Sequence, residues 1–116
     1  MKKIILLVLL LSQISFAGFV NPMKFDGSEK QKKEVIEYIK QNTKEQLELI
    51  GTYSKQMARM MEEEQLKDFK ELTKADNKEA MNTVISQLKL INNLNYTMIK
   101  LMYEEEVKAG EEELTW

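Results

Sequence analysis

The sequence states one segment twice. Gln46-Leu47-Glu48-Leu49-Ile50 returns as Gln87-Leu88-Lys89-Leu90-Ile91, and residues 60–73 align without a gap to residues 102–115 with seven identities in fourteen positions. The matches include the triplets Glu62-Glu63-Glu64 and Glu104-Glu105-Glu106, and the closing runs Glu71-Leu72-Thr73 and Glu113-Leu114-Thr115. Between the two blocks the second copy is longer by one residue, which is assigned to residues 51–54 or 92–95, where a turn tolerates it. Apolar residues recur at helical spacing in both copies, and two copies of a helical hairpin can bury each other's apolar faces. The expected fold is therefore all-α: two duplicated helical hairpins, residues 28–73 and 76–115, forming a small four-helix bundle with no strand.

Taken in order, residues 18–27 carry Phe19, Val20, Met23 and Phe25 without helical spacing, broken by Asn21-Pro22 and closed by Asp26-Gly27. Proline removes a donor and biases its predecessor away from the helix, so this stretch reads as an irregular arm packed on the bundle. Ser28-Glu29-Lys30-Gln31 has the form of a capping box, with Gln31 reaching back to Ser28. Ile36, Ile39, Thr43, Leu47 and Ile50 then follow at steps of three and four, which predicts a helix over residues 29–50 with Gly51 just past its end. Met57, Met60 and Met61 open a second stripe that runs to Leu72. Asp76 with Glu79 repeats the capping logic, and Met81, Val84, Ile85, Leu88 and Ile91 carry a third stripe. A turn at residues 92–95 then leads to a fourth helix over residues 96–109, with Gly110 past its end. One long helix over residues 77–109 is the alternative, because three Asn in four positions also fit inside a helix.

The first residues point to export. Met1-Lys2-Lys3, an apolar run over residues 4–11 and Ser15-Phe16-Ala17 describe a signal peptide of residues 1–17, cleaved after Ala17. The run is short for a span of about 20 residues, and an uncleaved anchor is the competing reading. Removing Lys2 and Lys3 leaves 15 basic against 19 acidic residues over residues 18–116, a net charge of −4. That balance disfavours nucleic acid and anionic membrane surfaces as partners, and stable membrane insertion is not expected after cleavage. The chain has no Cys and no His, so it lacks the groups for thiol or imidazole nucleophiles, the common zinc sites and c-type haem attachment. Its four Gly stand apart and form no phosphate loop. The expectation is a non-enzymatic protein without a cofactor.

Three groups of residues carry the candidate chemistry. The thioethers of Met57, Met60, Met61, Met98 and Met102 are soft ligands that can bind Cu(I), and equally adaptable core filler. At about 100° per residue, Glu64 falls on the stripe of Met57, Met60 and Met61, and Glu106 on that of Ile99, Met102 and Tyr103. Paired across the hairpins they line an acidic pocket for a cation or basic peptide; at the bundle's end they are a solvated rim. Leu66 and Phe69 lie away from the first stripe, where they cover the arm or a partner. Trp116, after Glu111-Glu112-Glu113, is either a recognition tail or a side chain folded back on the bundle.

The size, the signal-like start and the Met-rich helices resemble small exported helical chaperones of the Spy type, whose hairpins cradle unfolded clients. The Leu-Thr-x-x-Gln motif of that family is not met at Leu72-Thr73-Lys74-Ala75-Asp76, and Leu114-Thr115-Trp116 stops before its Gln. The leading functional expectation is an exported module that binds a protein or peptide. The alternatives are a soft-metal or cation binder and a structural envelope component or Spy-like chaperone.

Overall fold

A computed structural model describes residues 18–116. The signal-peptide reading of residues 1–17 lies outside the described residues. Among those described, the fold is all-α with no strand: α1 Glu29–Leu49, α2 Lys55–Leu72, α3 Lys78–Leu90 and α4 Tyr96–Glu111, preceded by a 3-10 turn at Pro22–Lys24.

The local signals act through specific hydrogen bonds. Ser28 Oγ accepts the Gln31 N–H at 3.1 Å, but Gln31 Oε1 reaches past Ser28 to accept the Asp26 N–H at 2.8 Å. Asp26 closes the gap by accepting the Ser28 N–H at 2.8 Å, and its hydrogen bonds from Ser28 hold its carboxyl below the usual range. For α3 the cap is Asn77, whose Oδ1 accepts the Ala80 N–H, and not Asp76. Gly110 lies inside α4, which runs on to Glu111, so it terminates nothing. The long-helix alternative is excluded by the backbone between α3 and α4, where Asn92 adopts φ 53° and Asn95 caps α4 by accepting the Met98 N–H.

The repeated Gln-Leu-x-Leu-Ile motif builds the same turn twice. The Thr52 N–H reaches the Leu47 carbonyl and the Gly51 N–H the Glu48 carbonyl; Asn93 and Asn92 do the same with Leu88 and Lys89. Both are left-handed helix ends of the Schellman form, with Gly51 at φ 78° and Asn92 at φ 53°. Gly51→Ala is expected to cost about 1 kcal/mol, because only glycine adopts this conformation without strain, whereas Asn92→Gly is neutral or slightly stabilising. Chemical denaturation of the two variants checks this pair, and a larger loss from Asn92→Gly contradicts it.

The correspondence of the two halves ends with those turns. Both run from the positive-φ residue to an N-cap three positions on, Gly51 to Ser54 and Asn92 to Asn95, so neither turn holds the extra residue. It falls inside the following helices and rotates the matched blocks out of phase by about 100°. Leu72 is accordingly buried in the last turn of α2, while Leu114 lies beyond α4 and is fully exposed.

The stripes also differ from the apolar pattern. In α1 the buried line is Val35, Ile39, Thr43 and Leu47, at steps of four, and Ile36 and Ile50 face outward. In α2 it is Ala58, Gln65, Asp68, Phe69 and Leu72, with Met57 and Met60 exposed. The α3 stripe of Met81, Val84, Ile85 and Leu88 is buried, without Ile91. Polar side chains occupy the α2 line because each has a partner. Gln65 Nε2 donates to Asn42 Oδ1 and Thr43 Oγ1, its Oε1 accepts the Tyr96 N–H, and the Asp68 carboxylate lies 3.6 Å from Lys100 Nζ.

Lys100 also pairs with Glu71 at 2.5 Å, and that contact holds the Glu71 carboxyl below its ordinary value of 4.5. A carboxyl depressed in the folded state contributes stability above its unfolded pKa and loses it as pH falls through the lower, folded value. Wild-type stability therefore declines below about pH 4.5, and Lys100→Met is expected to flatten that decline while lowering stability at neutral pH. Unfolding midpoints measured from pH 3 to 7 read the difference; parallel curves for the two proteins count against it.

The arm packs on α1, α2 and α4. Val20 is buried in the core, and Tyr96 clamps it at two points, its Oη donating to the Val20 carbonyl at 2.9 Å and accepting the Val20 N–H at 3.2 Å. Phe19 stacks on Tyr96 and meets the edge of Tyr38, while Phe25 meets Phe69 edge to face at 5.1 Å. Ring pairs of this kind add about 0.5–1.5 kcal/mol each beyond their burial.

Candidate functional site: the projecting end of the first hairpin

The two hairpins pack out of step. α4 runs beside α2 in the same direction, with Tyr96 level with Gln65 and Lys100 with Asp68. α2 begins ten residues before Gln65, at Lys55, whereas α4 begins at Tyr96 itself, so the first hairpin projects about 15 Å beyond the second. The second turn is fixed against the middle of α1, where Tyr38 Oη and Asn42 Nδ2 both donate to the Leu94 carbonyl. Burial, with a smaller contribution from the Glu45 carboxylate, pushes the Tyr38 phenol up to about 12, so it remains a donor at neutral pH.

This stagger leaves apolar side chains without an internal partner. Leu49 and Ile50 are 88% and 66% exposed, and their counterparts Leu90 and Ile91 are 87% and 65% exposed. Under the projecting end, a cleft of about 480 Å³ is lined by Leu47 and Leu49 of α1 and its cap Ile50, Met61 and Glu64 of α2, and Met98 of α4. On the opposite flank a groove of about 870 Å³ runs along α1 from Glu37 past Glu45 to Leu49, with Gly18 in one wall and Ile91 and Leu94 in the other.

The structure distributes the predicted site residues unevenly. Glu64 is exposed at the cleft, whereas Glu106 is half-buried on α4 ten residues past Tyr96, about 15 Å further along the parallel pair. The two carboxylates do not share a pocket, because the stagger offsets the matched triplets along the axis. Met61 and Met98 meet in the cleft; Met57 and Met60 are exposed, and Met102 packs against the core. Among the described residues, no group of three acidic side chains converges on a point where a metal ion would sit. Phe69 is buried under Phe25 and Tyr96, so the arm covers it and no surface remains for a partner. Leu66 is half-buried against the core, and Trp116 stands free beyond α4.

Sequence reasoning passed over Leu49, Glu37 and Glu45, and it assigned the exposed Ile91 to the core stripe of α3. A signal for Leu49 was present, because two places past the core Leu47 it is turned about 200° off the buried line, whereas Ile91, three places past Leu88, is exposed because it is the cap where α3 ends. Among the described residues no helix is long and apolar enough to cross a membrane. Comparison with protein-family models, with curated proteins and with solved structures gives no match to this chain.

Proposed function

We propose that this chain is a small exported, non-enzymatic interaction module that binds a protein or peptide at the projecting end of its first hairpin. The observation that carries it is the cleft, which is lined by four large apolar side chains, Leu49, Ile50, Met61 and Met98. A concave cleft lined mainly by apolar side chains with a few polar groups is the usual form of a binding site. Polar groups at the rim, among them Glu64 and Gln46, supply the orienting contacts that such sites use. The N-terminal sequence supports an exported location, and the lack of His and Cys supports a non-enzymatic role.

Leu49→Asp tests this without threatening the fold, because the side chain is almost wholly exposed and surface changes of this type alter stability by about 0.5 kcal/mol or less. Immobilised protein of residues 18–116 is expected to retain a discrete partner from envelope or secreted fractions, and Leu49→Asp to lose it. Equal retention by both proteins contradicts the assignment.

A further inference from the structure

The groove on the second flank indicates what kind of partner fits, and the inference rests on the binding role just proposed. Its walls carry two carboxylates, Glu37 and Glu45, and no Lys or Arg side chain, so that even with the α-ammonium that cleavage after Ala17 would place at Gly18 the groove is net negative; the cleft on the other flank carries Glu64 and no Lys or Arg. Among the described residues, none of these three carboxylates has a cation within ion-pair distance. Glu37 and Glu45 stand eight residues apart on α1, about 12 Å along its axis, and Leu49 follows one turn further on, beside Ile91. We infer that the groove receives a cationic amphipathic helix of a partner protein, lying along α1 with Lys or Arg two turns apart against Glu37 and Glu45 and a Leu or Ile in the next turn against Leu49 and Ile91.

The chemistry selects this occupant over the other two candidates. A second copy packed groove to groove about a two-fold axis would bring the same carboxylates together, and like charges oppose one another across an interface. An anionic lipid surface meets the same repulsion. A helix laid in an apolar groove, by contrast, needs anchors at successive turns, which Leu49 and Ile91 supply, and flanking charges to fix its register, which Glu37 and Glu45 supply.

Titration of ¹⁵N-labelled protein with three synthetic helices tests the inference. The peptides share their Leu and Ile positions and carry Lys, Gln or Glu at two sites two turns apart. The Lys peptide is expected to shift the amides of residues 37–49 and 91–94, to weaken with added salt, and to lose about tenfold in affinity against Glu37→Gln/Glu45→Gln. Both substitutions are at exposed positions, and unchanged circular dichroism verifies the fold. Equal binding of the Gln or Glu peptide, or indifference to the double substitution, overturns the cationic specificity while leaving the retention test with Leu49→Asp to decide the binding role by itself. Shifts at the same amides with phosphatidylcholine vesicles and none with any peptide overturn it in favour of a lipid surface. Absence of binding by all peptides and vesicles, alongside successful partner retention, overturns it as well.

Discussion

Tyr96→Ala is expected to remove about 3–5 kcal/mol of stability, the range for truncating a large buried aromatic. For a domain of this size, whose total stability is about 5–15 kcal/mol, that is a loss the fold barely survives. Tyr96 is fully buried and contacts Phe19, Tyr38 and Phe69 at ring-centroid distances of 4.8–5.7 Å. Its hydroxyl satisfies both backbone groups of Val20, so one side chain joins α4, the aromatic core and the arm. The intermediate change Tyr96→Phe keeps the ring and orphans the Val20 N–H and carbonyl, for an expected loss of about 1–3 kcal/mol. Urea denaturation gives the stabilities, and limited proteolysis at Lys24 reads release of the arm. A Tyr96→Ala loss below about 1 kcal/mol would show that the arm and core are not coupled through this residue.

The same cluster fixes the alkaline limit of stability. Burial raises both phenols, Tyr38 to about 12 and Tyr96 further. A group whose folded pKa exceeds its unfolded value of 10 contributes stability that is complete below pH 10 and disappears as pH rises through the folded value. Unfolding is therefore expected to become progressively easier from pH 10 upward.

Gln65→Ala is the second large effect, with an expected cost of about 2–4 kcal/mol. Its amide makes three buried or half-buried hydrogen bonds, two donated to Asn42 and Thr43 of α1 and one accepted from the Tyr96 N–H. That N–H belongs to the first turn of α4, where a helix has no internal acceptor, so truncation leaves it unpaired in the interior. Because Gln65 ties α1, α2 and the start of α4 at one level, it also sets the stagger of the hairpins. A double-mutant cycle with Thr43→Ala isolates the contact, with an expected coupling of about 0.5–1.5 kcal/mol. Additive losses would place the stabilisation elsewhere.

These two residues mark where the sequence was and was not legible. Helix number and approximate span followed from caps and turns that act locally: Ser28 before α1, Gly51 after it, and three Asn around residue 92. The α3 stripe was legible because all its interior residues are apolar. The α2 stripe was not, since Gln65 and Asp68 occupy buried positions that apolar periodicity cannot detect, and their partners on α1 and α4 are distant in sequence. The phase of the helix was then taken from Met57, Met60 and Met61, of which the first two are exposed, and Glu64 was placed on the inward stripe although it is exposed. The stagger is a tertiary property of the same contacts. Without it, Glu64 and Glu106 seemed paired by their triplets, and Ile50 and Ile91, both exposed, passed for core.

The binding role of the projecting end is tested most directly by contact in place. A photo-crosslinking residue at position 49, in protein expressed with its own N-terminal sequence, is compared with the same residue at position 101, where the exposed Leu101 lies on α4 away from the cleft and groove. The account predicts a discrete adduct with one partner polypeptide from position 49 and none from position 101. Adducts of equal yield and identity from both positions, or none from position 49 under conditions where the partner is present and retained by the purified protein, would contradict it.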